Sequence, residues 1–92
     1  MIKSFRSKDT EALFRGKCPH RWNDIRARAE RKLVMIDSAH SLEFLRSPPG
    51  NRLERLRGNR KGQHSIRINN QYRICFIWLD NAPHEVEIVD YH

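Results

Sequence analysis

The longest regular pattern lies in the first half of the chain. Trp22, Ile25, Ala29, Leu33 and Ile36 step by three or four residues, so they share one face of a helix running from Arg21 to about Ala39. Asn23 and Asp24 suit its first turn, and Arg26 with Glu30 forms an i,i+4 pair on the polar side. Such a Trp/Ile/Leu stripe reads as core. Ahead of it, Ile2 to Phe5 is a candidate short strand. Asp9 to Phe14 is a short helix with Leu13 and Phe14 on its apolar side and Gly16 as its stop. Ser41 to Leu45 allows one further helical turn. Ser47-Pro48-Pro49-Gly50-Asn51 is a loop, because adjacent prolines interrupt helix and ladder alike.

Beyond that loop the period changes from about three and a half to two. Leu53 to Leu56 is a candidate strand, followed by the loop Gly58 to Gly62. His64 to Ile68 alternates as a half-exposed strand does, and Asn69-Asn70-Gln71 forms a turn. Tyr72 to Leu79 is nearly all apolar, as a central strand should be, Asp80 to His84 turns again, and Glu85 to Val89 alternates. A three-residue first turn sets Ile66 opposite Ile74 and Ile68 opposite Tyr72, whereas a two-residue turn would bury Arg73 among core residues. In the second hairpin, Trp78 against Val86 and Phe76 against Ile88 keeps core with core. Arg67, Arg73 and Tyr91 are then expected to line up across three strands on the open face. A helical front half and a strand-rich back half are read as one domain over residues 1–92.

Charge sharpens the picture. The chain carries +7, with arginine far outnumbering lysine. Between Arg46 and Arg73 stand eight basic residues against Glu54 alone, so this segment holds a charge equal to that of the whole chain. That is the footprint of a polyanion-binding surface, the alternative being an ordinary solvated basic face. Arginine favours the first reading, because its planar fork grips phosphate through two donors. Cys18 and Cys75 have no metal-ligand spacing, and Cys75 lies in an apolar strand where a buried thiol is expected. His20, His40 and His84 are isolated, so neither a metal nor another cofactor is expected. Nothing resembles a signal peptide and no stretch approaches a membrane span, which points to a reduced, cytoplasmic protein without a membrane partner.

The last three residues, Asp90-Tyr91-His92, join a carboxylate, a phenol and an imidazole on the final strand beside arginines. Cleaving RNA without a metal needs a base for the 2′-hydroxyl proton, a cation for the phosphorane charge and an acid for the leaving 5′-oxygen. His92 suits the base or the acid, Arg73 the cation, and Tyr91 a stacking or donating role. Taken alone the tripeptide is a weak signal, since chain ends are commonly unimportant.

The arrangement as a whole resembles a family. Leu53-Glu54-Arg55-Leu56-Arg57-Gly58-Asn59-Arg60-Lys61-Gly62, followed by His64-Ser65-Ile66-Arg67, is similar to the L-x-x-L-x-G-x-R-x-G-x-x-S-I stretch of HigB-type toxins in the RelE/ParE superfamily. Gln71-Tyr72-Arg73-Ile74-Cys75-Phe76 resembles their x-W/Y-R-I-x-F strand. Val89-Asp90-Tyr91-His92 resembles their C-terminus, and Met1-Ile2-Lys3-Ser4-Phe5 their start. The resemblance implies an α+β, RelE-like fold with N-terminal helices on one face of a twisted, mainly antiparallel sheet. It implies a toxin of a type II toxin–antitoxin system that cuts messenger RNA in the ribosomal A site by metal-independent 2′-hydroxyl attack. A helix-turn-helix antitoxin of the HigA kind is the implied partner. Arg73, Asp90, Tyr91 and His92 match the family's site in type. Arg57 stands where a lysine can occur, and Arg55, Arg60, Lys61 and Arg67 are the further expected contacts to messenger or ribosomal RNA.

There is one departure. Glu54 stands where a well-known branch has histidine. A carboxylate can accept a proton but, once ionised, has none to give at neutral pH. The split of base and acid between Glu54 and His92 therefore stays open. His64 either compensates or faces the core. The rival reading is a non-catalytic basic protein of the same fold, which binds nucleic acid or regulates a partner and needs the arginines but not His92.

Overall fold

The computed structural model describes residues 1–91. Ser7 begins the first helix, α1 (Lys8–Phe14), by accepting a hydrogen bond on Oγ from Thr10 N at 3.2 Å, and Asp9 and Glu11 sit in its first turn. Gly16, at φ +99°, ends it in a conformation that suits glycine. The long apolar stripe is shared between a 3-10 segment (His20–Ile25) and α2 (Arg26–Ser38). The expected single helix from Arg21 is thus wound more tightly over its first turns. In a 3-10 segment residues three apart eclipse, which brings Trp22 and Ile25 to the same side, and both are buried. A short α3 (Leu42–Arg46) is capped by Ser41 Oγ, which accepts from Phe44 N at 3.2 Å. The double-proline loop closes as a 3-10 turn, Pro49–Asn51, after which Arg52 adopts left-handed φ 45° and ψ 56°.

Four strands follow: β1 (Glu54–Arg55), β2 (His64–Arg67), β3 (Tyr72–Leu79) and β4 (Ala82–Asp90), paired antiparallel in that order. The segment between β1 and β2 includes a 3-10 turn, Gly58–Arg60. The N-terminal residues run parallel to the outer edge of β4. Lys3 N donates to Pro83 O, Val86 N to Ser4 O and Arg6 N to Val86 O. Helices and sheet enclose Leu13, Trp22, Ile25, Ala29, Leu33, Ile36 and Leu45 on one side, and Ile66, Ile68, Ile74, Phe76, Val86 and Ile88 on the other.

In the first hairpin Ile66 pairs with Ile74 and Ile68 N donates to Tyr72 O, the expected three-residue connection. The second hairpin corrects the sequence reading. Its turn is only Asp80-Asn81, at φ 51° and 60°, a geometry that matches the twist of the flanking strands. Pro83, read as part of the turn, sits within β4 opposite Trp78, and Ile74 rather than Phe76 faces Ile88. Between Cys75 and Ile77 the register shifts at a bulge where Glu85 takes φ 51°. Ser4 Oγ braces it, accepting from Glu85 N at 2.9 Å and donating to Glu85 Oε2 at 3.0 Å. Near Ile74 the true register differs from the expected one by two residues. An even slip leaves each side chain on its face, so the face assignments survive the error.

Candidate active site

The sheet face turned away from the core carries the polar residues. Glu54 pairs with Ser65, Arg67 with Arg73, and Arg73 with Val89, so these side chains share that face. Tyr91 N donates to Gln71 O at 2.6 Å, which brings Tyr91 alongside. Arg52, Glu54, Arg67, Asn69, Asn70, Arg73 and Tyr91 together line a cleft of about 360 Å³.

Arg67 and Arg73 are directly opposed across two strands, an arrangement that repels. Their guanidinium groups separate toward different acceptors. Arg67 Nε donates to Asn69 O at 3.1 Å and Nη2 to Asn70 Oδ1, which fastens it to the turn. Arg73 is only 8% exposed. Its Nε donates to Ser65 Oγ at 2.8 Å, and Nη2 to Arg52 O at 2.6 Å and Ser65 O at 3.4 Å. These acceptors are neutral, so they fix the guanidinium without cancelling its charge. Among the described residues the nearest carboxylate, Glu54 Oε1, is 3.9 Å from Nη2 on a half-exposed side chain, too long for a direct hydrogen bond. The Tyr91 ring lies 6.0 Å from Arg73 Cζ and is 40% exposed, an open surface against which a base can stack. A fixed cation at the floor of a cleft, held by neutral acceptors among the described residues and with a carboxylate and a phenol beside it, is suited to holding a phosphate while a proton moves at Glu54.

The other expected site residues are distributed around this cleft. Asp90 pairs with Tyr72 and accepts from Gln71 Nε2 at 3.1 Å, and it is not among the lining residues. His92 lies outside the described residues. Arg55, Arg57 and Lys61 line a separate cavity with Leu56, Gly58 and Gly62. Arg60 does not join them: Nη1 pairs with Glu87 Oε1 at 2.9 Å and contacts Gln63 Oε1 at 3.2 Å. Cys75 is buried as expected, and burial pushes its thiol pKa up.

His64 faces the opposite side of the sheet from Glu54, because it pairs with Arg55. Its ring stacks on Phe76 with centroids 6.3 Å apart, and Nδ1 is buried without a hydrogen-bond partner among the described residues. Burial first, then Arg55 and Arg46, hold its pKa below the ordinary histidine value. It therefore packs against Phe76 on the face away from Glu54.

Arg52, Ser65, Asn69 and Asn70 were not read as site residues. Arg52 was visible only as one charge in a basic run, since the contribution to Arg73 comes from its carbonyl. Ser65 is an unexceptional serine in an alternating strand. Among the described residues no three His, Cys, Asp or Glu side chains converge to hold a metal ion, and no helix is long and apolar enough to cross a membrane.

Residues 3–92 match the family described as the RelE-like toxin HigB of type II toxin–antitoxin systems. The chain belongs to this HigB-like toxin family. It is 43% identical over 84 residues to Toxin HigB-1 of Vibrio cholerae, covering 89% of this chain and 88% of that protein. Two solved structures of YoeB–YefM toxin–antitoxin complexes from Staphylococcus aureus contain a chain of the same fold. One aligns with a TM-score of 0.61 at 23% identity and the other with 0.60 at 21%, each covering 100% of this chain and 98% of that chain. A HigB-like toxin thus has an α+β, YoeB/RelE-like fold here, with its helices on one face of a four-stranded antiparallel sheet.

Proposed function

We propose that this HigB-like toxin is a ribosome-dependent endoribonuclease that cleaves messenger RNA in the A site. In this reading the 2′-hydroxyl oxygen attacks the adjacent phosphorus and gives its proton to the base, while the bond from phosphorus to the 5′-oxygen breaks. The leaving 5′-oxygen takes a proton from the acid. The products are a 2′,3′-cyclic phosphate, which water opens to a 3′-phosphate, and a 5′-hydroxyl. Among the described residues Glu54 is the base nearest the cation, Arg73 holds the non-bridging oxygens as charge builds, and Tyr91 stacks on a neighbouring base. His92 is assigned the acid, with Asp90 supporting this end of β4; both assignments rest on family resemblance. Arg55, Arg57, Lys61 and Arg67 are RNA contacts, and Arg60 braces their loop through Glu87. The partner is a helix-turn-helix antitoxin.

The observation that carries the reading is Arg73, nearly buried and, among the described residues, hydrogen-bonded to neutral acceptors in a cleft shared with Glu54 and Tyr91. Toeprinting of translating ribosomes tests it. The parent protein is expected to truncate messages at the A site, and Arg73→Ala to lose that signal while keeping its circular dichroism. Equal truncation by both would reject the assignment, and none from a folded parent would favour a binding protein.

A further inference from the structure

A second polar cleft opens on the far side of Arg67. Arg28, Arg31 and Lys32 line it from helix α2, Gly50 from the double-proline loop, and Arg67 with Asn69 from the β2–β3 turn. Positions 28, 31 and 32 lie at i, i+3 and i+4, so they project from one flank of the helix. No carboxylate lines the cleft, and neither Arg28 nor Arg31 has an ion-pair partner among the described residues. Arg26 is the α2 arginine paired to Glu30, outside the cleft.

The cleft is also built. Lys32 Nζ donates to Asn51 Oδ1, and Asn51 is fully buried with Nδ2 donating to Leu45 O at 2.9 Å. The amine is thereby held at the cleft by a rigid acceptor that leaves its charge in place. Burial first, then the charges of Arg31 and Arg28, lower its pKa. Arg67 and Asn69 belong to the walls of both clefts, so the two adjoin across Arg67.

We infer that Arg28, Arg31 and Lys32, with Arg67, form a second phosphate site that takes an RNA backbone phosphate flanking the one bound at Arg73. RNA is favoured over an acidic protein because a polynucleotide supplies phosphates in series, and the two clefts are joined through one arginine. The identity of the ligand as RNA rests on the proposed function.

The test uses the double variant Arg28→Gln/Arg31→Gln, both exposed positions on α2. Arg15→Gln/Arg21→Gln is the control for the same loss of net charge elsewhere. Binding is measured across a salt series to a short single-stranded RNA with 2′-O-methyl sugars, which cannot be cut, and to purified ribosomes by co-sedimentation. The α2 variant is expected to bind about tenfold more weakly than the control. The slope of log affinity against log salt should fall by about 0.7 per lost phosphate contact. Loss on the oligonucleotide assigns the site to the substrate strand, and loss on ribosomes alone assigns it to ribosomal RNA. The first result supports the inference; the second separates the site from the strand held at Arg73 and overturns it. Affinities and slopes equal to the control in both arms would overturn it, including where binding to an acidic partner protein weakens instead. Because the probe cannot be cleaved, this result is separate from whether Arg73→Ala abolishes cutting.

Discussion

The backbone carbonyl of Arg52 accepts a hydrogen bond from Arg73 Nη2 at 2.6 Å. The loop after α3 and the central strand of the sheet therefore meet at the group that would hold phosphate. Arg52 presents this oxygen in a left-handed conformation that few non-glycine residues adopt, one position after the fully buried Asn51. Asn51 fastens the loop to Leu45 O and to Lys32, so the position of the Arg52 carbonyl depends on it. Asn51→Ala is expected to cost about 1–3 kcal/mol of stability, by leaving the Leu45 carbonyl buried without its partner. It should also slow cleavage under conditions where the variant is still folded. Urea unfolding paired with single-turnover cleavage checks both, and full activity in a destabilised variant would detach the loop from the site.

Ser65→Ala isolates the other acceptor. The hydroxyl receives Arg73 Nε at 2.8 Å, and hydrogen bonds to charged groups are worth about 1.5–3 kcal/mol. Cleavage should slow at least about tenfold with little change in ribosome affinity, because the guanidinium keeps its charge but loses its orientation. A weakened affinity with an unchanged rate would instead make Arg73 a docking residue.

The second hairpin gives a stability prediction. At φ 60°, Asn81 tolerates a conformation that valine resists. Asn81→Val should lower stability by about 1–2 kcal/mol, and Asn81→Gly should be neutral or stabilising. Denaturant midpoints read the difference. Indifference to both would fit a longer, looser connection.

Much of this architecture is legible in the sequence because period and face are robust to local error. The stripe from Trp22 to Ile36 needed no knowledge of where 3-10 gives way to α-helix. The face of Arg73 was recoverable although the β3–β4 register was displaced by two residues. What misled was Pro83, a strand-breaker by type, which here keeps a carbonyl that Lys3 N can reach. The site was half legible. Glu54, Arg67, Arg73 and Tyr91 carry residue types that suit the proposed chemistry, and they do converge. Arg52 works through a backbone atom and Asn51 through burial, neither of which residue type announces. Arg60 looks like any other arginine of the basic run until the fold brings Glu87 to it.

His64 makes folding sensitive to acid. Its pKa is lowered in the folded chain, so below its ordinary value of 6.5 the unfolded chain binds the extra proton first. Acidification from 6.5 downward therefore favours unfolding, and this contribution to stability is fully present above 6.5. The slope from one such group is at most about 1.4 kcal/mol per pH unit. Relative to the parent, His64→Gln should flatten the acid limb of stability against pH. Parallel curves would show that the half-buried imidazole does not titrate in this range.

In the proposed mechanism the cleft around Arg73 promotes attack by the RNA's own 2′-hydroxyl. The most direct measurement is end-group analysis of messages cut on translating ribosomes, with rates compared between the parent and Arg73→Ala. The expected fragments end in a 2′,3′-cyclic phosphate or 3′-phosphate, matched by 5′-hydroxyl ends. The variant is expected to cut about a hundredfold or more slowly, as when an oxyanion contact of about 3 kcal/mol is removed. Fragments bearing 5′-phosphate and 3′-hydroxyl ends would contradict that mechanism, whatever the variant does.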